Sequence, residues 1–241
     1  MAPRTRRRGG MSFTVLGLCP RTGRVGYATA AEDPTAGWRV ATAVAARGVV
    51  AVEAEPDPRK LALAAQLLAA GYGPTRILRD LSDDDPSLQR RQIAILNVHG
   101  RHAVLIGNEV TPSSDSVVAA DHIALGHGLN SEDVLQAASK AFVASEADDL
   151  ENRLLLALEA GRDVEPQRRE MIASALFVHD LSGVPVVDLR VDVHDVAIAE
   201  LRRMFDLYRP HLAGAPLIQV PDHKESVDVP DELAGFPRSM T

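Results

Sequence analysis

Four polar residues alternate along a segment near the end of the chain, as side chains on one face of a β-strand do. They are Asp188, Arg190, Asp192 and His194. Asp192 and His194 have the ligand types for a divalent metal ion, and Arg190 could bind an acidic substrate group. The interpretation we favour is an ion-paired strand edge followed by a helix with an acidic cap. We therefore predict no metal and no other cofactor.

Four histidines fall within one short part of the chain: His99, His102, His122 and His127. Imidazoles bind metals and act as general bases near neutral pH. Their spacing does not match the HExxH pattern of a zinc-binding helix. His127 lies between two glycines, which permit either a close backbone approach to a ligand or a tight bend, and we favour the bend. His127 remains a candidate pocket residue.

The elements that must position these residues are strand pairs and helix pairs in alternation. Apolar patterning and turn residues predict strands within 13–30, 40–54, 92–107, 121–128, 171–179 and 184–191. Helix start and stop signals predict helices over 59–70, 74–81, 133–145, 149–161 and 198–208. This order predicts an α+β fold, in which two stacked and mostly antiparallel sheets have helices outside. The glycine motifs that bind ATP or NAD phosphates are absent.

Charge and composition limit the classes of partner. The chain has 241 residues, a formal net charge of −7 and a single cysteine, Cys19. Four arginines crowd the first ten residues, so the remainder is acidic and gives no support to a nucleic-acid groove. No stretch is long and apolar enough for a membrane span, and the basic start lacks the apolar core of a secretory signal. With a lone cysteine, this predicts a cytoplasmic protein.

We predict one domain over residues 12–212. A basic and disordered extension would precede it at 1–11, and a tail or subunit arm would follow at 213–241. We expect a small-molecule ligand and a homo-oligomer.

Several stretches point to a known family. They are SFTVLGLCPRTGRVGYATA from Ser12, Gly71-Tyr72-Gly73-Pro74, Arg91-Gln92, LLLALEAG, and Asp188-Leu189-Arg190-Val191-Asp192 with AELRRMF after it. These stretches resemble a bacterial family of unknown function, the domain-of-unknown-function-1028 family, which is assigned to the N-terminal nucleophile (Ntn) hydrolases. The resemblance implies a four-layer αββα sandwich.

The resemblance also implies that Ser12 is a nucleophile and that its own α-amine is the base. A free α-amine has a pKa of about 7.7 to 8.0, so one residue supplies both groups at neutral pH. This requires removal of everything through Met11, which is itself a possible second start position. In the chain as written, Ser12 carries an amide instead.

Other positions depart from the family pattern. His127 stands where the family typically has an asparagine, and Met171-Ile172-Ala173 replaces an Arg-Gln-Ser run. Glu32 and Asp33 stand near the position where the family has a serine-containing run. These two acids would give the pocket a preference for a positively charged group. His127 or backbone amides would have to hold the oxyanion, because loss of one donor costs about 3 kcal/mol.

Two functions therefore stay open. The first is an Ntn-type amidohydrolase acting on a small amide or cyclic amide, with Ser12 and His127 as the catalytic candidates. The second is a catalytically inactive relative that serves as a ligand-binding or assembly module, as the departures from the family pattern favour.

Overall fold

Antiparallel hairpins begin the fold. In the computed structural model, β1 (Ser12–Leu18) turns back into β2 (Val25–Ala31), and Gly23 adopts a positive φ of 71° in the turn. A short helix, α1 (Ala36–Arg39), leads to a second hairpin of β3 (Ala41–Val44) and β4 (Gly48–Glu53). The structure describes residues 10–34, 36–83, 85–111, 113–131, 133–164 and 171–212.

The remaining elements follow the predicted alternation. In chain order they are α2 (Pro58–Ala69), α3 (Pro74–Ser82), β5 (Gln92–Asn97), β6 (His102–Ile106), β7 (Asp115–Val118), β8 (His122–His127), α4 (Asp133–Ala144), α5 (Leu150–Asp163), β9 (Ala173–His179), β10 (Pro185–Val191) and α6 (Ala197–Leu212). Local chemistry accounts for their ends. For example, Asp57 accepts the backbone N–H of Arg59 at 3.0 Å, and Pro58 occupies the first turn of α2.

The strands form two antiparallel sheets. One has six strands in the order β10-β9-β2-β1-β8-β7, and the other has four in the order β3-β4-β5-β6. Helices α4 and α5 pack against the first sheet, and α2 and α3 against the second. The two sheets pack on each other through a core that includes Leu16, Val49 and Leu125. The predicted α+β sandwich with helices outside two stacked sheets is therefore confirmed.

Alternation along β1 decides which residues face the space between the sheets. Leu16 and Leu18 belong to the core between the sheets. Phe13 points the other way, because a Cβ built on Gly161 of α5 would lie 2.8 Å from its ring. Ser12 has the parity of Leu16, so its side chain belongs to the face between the sheets.

Some elements differ from the prediction. Strand β7 and helix α1 were not expected from the sequence, and a 3₁₀ turn precedes β5 at Leu88–Arg90. The central run of strands therefore contains four members, not three.

Contacts divide the chain into a unit ending at Leu207 and a second unit beginning at Tyr208, which is described only to Leu212. Residues 1–9 of the predicted basic extension and the predicted tail at 213–241 lie outside the described residues. Within the described ranges, no helix combines the length and apolar character needed to cross a bilayer.

Candidate functional site

A small cleft surrounds the first residue of β1. Ser12 lies on a central strand, directly opposite Ala31 of β2 on one side and His127 of β8 on the other. Ser12 and His127 both line the cleft, together with the side chains of Asp33 and Arg39. The cavity has a volume of about 30 Å³, which is room for one or two water molecules.

The Ser12 hydroxyl is buried and has no hydrogen-bond partner among the described residues. Most buried polar atoms in folded proteins have a partner, so an orphaned hydroxyl in a cleft is a marker of a functional site. A neighbouring base must accept the proton before a serine hydroxyl becomes a good nucleophile.

A buried carboxylate lies behind His127. The Nδ1 atom of His127 is 3.5 Å from Oε2 of Glu53, which is the last residue of β4 in the other sheet. Glu53 is fully buried, and neither of its carboxylate oxygens has a hydrogen bond within the described parts of the chain. The His127 and Glu53 side chains are therefore close but not aligned as a hydrogen bond. His127 lines the cleft, and Glu53 lies behind it in the interior.

Our sequence reasoning missed Glu53. The available signal was an acid closing the strand GVVAVE, whose other members are all apolar or glycine. A charged residue in a strand that is buried on both faces requires a compensating partner.

The two residues before Ser12 lie against Glu32 and Asp33, which the sequence analysis assigned to the pocket. Met11 is buried, its N–H donates to Oε2 of Glu32 at 3.1 Å, and its carbonyl accepts the N–H of Glu32 at 2.9 Å. A Cβ built on Gly10 would lie 3.5 Å from Oε2 of Glu32 and 3.6 Å from Oδ2 of Asp33. Gly10 and Met11 also line the cleft. The structure thus brings Ser12, His127 and Asp33 together, with Glu32 holding the incoming chain.

Residues 12–201 match the profile of a family described as a family of unknown function, DUF1028. The chain belongs to this family. The crystal structure of protein SPO2555 from Silicibacter pomeroyi, also of DUF1028, resembles it with a TM-score of 0.75 and 29% sequence identity. That similarity covers 82% of this chain and 89% of the SPO2555 chain. No curated protein matches the chain. Membership in DUF1028, which the resemblance predicted, is confirmed.

In this DUF1028 chain, the alternating polar residues from Asp188 to His194 do not all lie on one strand. Strand β10 stops at Val191, so the shared face does not extend to Asp192 and His194. Both are exposed, and Nδ1 of His194 accepts the N–H of Val196 at 3.1 Å, just before α6. Among the residues described, no group of three or more His, Cys, Asp or Glu side chains could hold a metal ion.

Arg190 lies on β10, outside the cleft. Its Nε is 3.8 Å from Oδ1 of Asp188, and both side chains are nearly half exposed. Its aliphatic part lies beside Gly37 of α1, whose carbonyl accepts the hydroxyl of Tyr27 at 2.7 Å. Burial raises the pKa of Tyr27, and the negative charge of Asp188 raises it further. Of the three positions that replace the family's Arg-Gln-Ser run, Met171 and Ile172 lie just before β9 and Ala173 is its first residue.

A second serine–histidine pair lies on the other face of β8. Nε2 of His122 is 2.8 Å from Oγ of Ser139 on α4, and Nδ1 is 2.9 Å from Oδ1 of Asp121. Arg153 of α5 donates to the other oxygen of Asp121 at 3.0 Å. The hydrogen bond from His122 lowers the pKa of Asp121, and the bond from Arg153 lowers it further.

This second pair has the bonding pattern of a catalytic triad but occupies a packed layer. His122 is fully buried, and its ring centroid lies 4.6 Å from that of Phe142. Ser139 belongs to the interior of a regular helix. We assign this network to the packing of the helix layer on the first sheet.

Proposed function

We propose that this protein is an amide hydrolase in which Ser12 is the nucleophile, acting on a small amide or cyclic amide. The observation that carries the proposal is the buried and unpartnered Ser12 hydroxyl, which lines a cleft directly opposite His127. In the Ntn form of the mechanism, removal of residues 1–11 leaves a free α-amine on Ser12 that accepts its hydroxyl proton.

Removal of that segment would also enlarge the cleft. Gly10 and Met11 would leave, and the carboxylates of Glu32 and Asp33 would face the vacated space. Opposite charges attract most strongly where solvent is partly excluded. We therefore propose that the substrate has a positively charged or N–H-rich group beside its scissile amide.

The alternative function is a catalytically inactive ligand-binding or assembly module. The attachment of Met11 favours this alternative. Met11 is buried, and both its backbone N–H and its backbone carbonyl are hydrogen bonded to Glu32. A chain that keeps this segment must release Met11 from the cleft before an amide substrate can reach Ser12.

The proposal includes a cytoplasmic location and a homo-oligomer. The free and buried Cys19 supports the first, because it is compatible with a reducing compartment. Light scattering on the purified protein tests the second, and a monomeric mass would remove it.

The test of the proposed function is covalent labelling of Ser12. A chain that starts at Ser12, released from a cleavable N-terminal fusion, is treated with an alkyl fluorophosphonate and mapped by mass spectrometry. We expect one adduct on Ser12 that is lost in Ser12→Ala. Equal labelling of Ser12→Ala, or no adduct, would contradict the nucleophile assignment. The intact mass of protein from the native host shows whether residues 1–11 are removed there.

A further inference from the structure

The geometry points to His127, held by Glu53, as a general base for Ser12 that works without a free α-amine. This inference rests on Ser12 being the nucleophile of the proposed function, but it does not require removal of residues 1–11. It gives Glu53 a role as a positioning residue.

The first step is the register of the sheet. Ser12 and His127 are directly opposite on neighbouring antiparallel strands, so their side chains lie on the same face. Cβ atoms of such a pair are about 5 Å apart, which brings a serine hydroxyl within reach of an imidazole on the next strand. Both residues line the same cleft.

The second step is the orientation of the ring. Nδ1 of His127 is the nitrogen that lies 3.5 Å from Glu53 Oε2, so Nε2 is the nitrogen left for the cleft. A carboxylate that accepts a hydrogen bond from one ring nitrogen fixes the tautomer that places a lone pair on the other, and Glu53 would do so once the 3.5 Å contact shortens. Catalytic hydrogen bonds are often long in the absence of substrate and shorten when it binds.

The third step is charge. Glu53 is fully buried and the His127 side chain is only 8% exposed, so an imidazolium formed during the reaction would be stabilised in a medium that screens poorly. The other charged groups at the cleft are Asp33 and Arg39, while Glu32 is directed to the N–H of Met11. A fully buried carboxylate without a hydrogen bond is costly, and this role accounts for the presence of Glu53.

The reaction then proceeds in two balanced stages. Ser12 Oγ attacks the amide carbonyl while its proton moves to His127 Nε2, and that proton passes to the leaving amine as the C–N bond breaks. Water attacks the resulting ester, gives a proton to His127 and supplies its hydroxyl to the acid product. The proton returns to Ser12 Oγ as the ester bond breaks.

The experiment uses the full chain, with retention of residues 1–11 verified by intact mass. We measure the rate of Ser12 labelling by an alkyl fluorophosphonate between pH 5 and 9. We expect labelling of the full chain, and a loss of about 100-fold or more in His127→Ala. The control is His99→Ala, which removes an exposed imidazole and should leave the rate unchanged.

Glu53→Gln provides a readout that a merely structural role would not change. It should slow labelling at least about tenfold. It should also displace the pH–rate profile of labelling, because a protonated base at this position loses its anionic neighbour. Glu53→Asp should restore part of both effects. Because Gln has the shape of Glu, this variant keeps the test valid if His127→Ala fails to fold.

The outcomes separate the two proposals. If the full chain is inert but the chain starting at Ser12 reacts, His127→Ala in that shorter chain decides. An unchanged rate makes the α-amine the base and overturns the role of His127 while the proposed function stands, and a lost rate supports His127. If neither chain reacts, both are overturned. Unchanged labelling and an unchanged pH profile in folded His127→Ala and Glu53→Gln would also overturn the inference.

Discussion

Ser12 and His127 occupy directly opposite positions on β1 and β8, and their side chains share the face between the two sheets. The same register pairs His122 with Gly17, on the opposite face of β8. One strand thus presents an imidazole to each side of its sheet. The imidazole at the cleft has an unpartnered Nδ1, whereas both nitrogens of the one beneath the helices are hydrogen bonded.

The first prediction contrasts the two serines beside these imidazoles. Ser12→Ala should leave the free energy of unfolding within about 0.5 kcal/mol of wild type, because its hydroxyl has no partner to lose. Ser139→Ala should lower it by about 1 kcal/mol, because Nε2 of His122 loses its hydrogen bond. Urea titration measures both. A larger loss of stability in Ser12→Ala than in Ser139→Ala would contradict the assignment of Ser12 to the cleft chemistry and of Ser139 to packing.

The second prediction concerns pH and Asp121. The pKa of its carboxyl is lowered in the folded state, first by the hydrogen bond from His122 and then by that from Arg153. A lowered folded pKa gives stability that is present above the unfolded value of about 3.9 and is lost as pH falls through the folded value. Asp121→Asn should therefore lower stability by about 1 kcal/mol at pH 7.

The same reasoning fixes the control for that measurement. The difference between wild type and Asp121→Asn should shrink steadily as the pH falls below about 4. Asp195→Asn changes an exposed carboxyl and should show no such convergence. A constant difference from pH 7 to pH 3 would mean that the Asp121 charge does not stabilise the fold.

Local signals in the sequence predicted most of the elements correctly. Proline and glycine at helix ends, and turn residues between apolar runs, gave the hairpins and five helices close to their observed bounds. Strand β7 was missed because Asp115–Val118 is a short edge strand with only two apolar residues. Helix α1 has four residues, too few for a helical period to show.

The site was harder to predict, because its parts come from separate strands. Ser12 and His127 were identified from the family resemblance, and their placement in one cleft follows from the β1–β8 register. Glu53 was missed because its importance depends on a histidine from the other sheet. The face expected to join Asp188 to His194 ends at Val191, and the alternation of residue types does not reveal where a strand stops.

The third prediction concerns Phe142, which connects the helix layer to the sheet. Its buried ring packs against the His122 ring, and the Arg153 guanidinium lies 3.9 Å from its centroid. Phe142→Ala should lower the free energy of unfolding by about 3 to 5 kcal/mol, because it leaves a cavity and removes both contacts. Val143→Ala, at an exposed site on the same helix, should change stability by about 0.5 kcal/mol or less. Equal losses would contradict this packing.

The fourth prediction tests whether Glu53 is retained for function at the expense of stability. Its carboxylate is fully buried without a hydrogen bond to either oxygen, so Glu53→Gln should raise the free energy of unfolding by about 1 kcal/mol even as it slows Ser12 labelling. The matched control is Glu151→Gln. Glu151 is also buried, but Arg24 donates to its two oxygens at 2.9 and 3.1 Å.

Because the Glu151 carboxylate is satisfied, the same substitution there should lower stability by about 1 to 3 kcal/mol. Opposite signs for the two variants in urea titrations at pH 7 are the expected result. Buried charged groups that lack hydrogen bonds are tolerated mainly where chemistry requires them. A loss of stability in Glu53→Gln as large as that in Glu151→Gln would show that Glu53 is a structural partner of His127 and is not strained for catalysis.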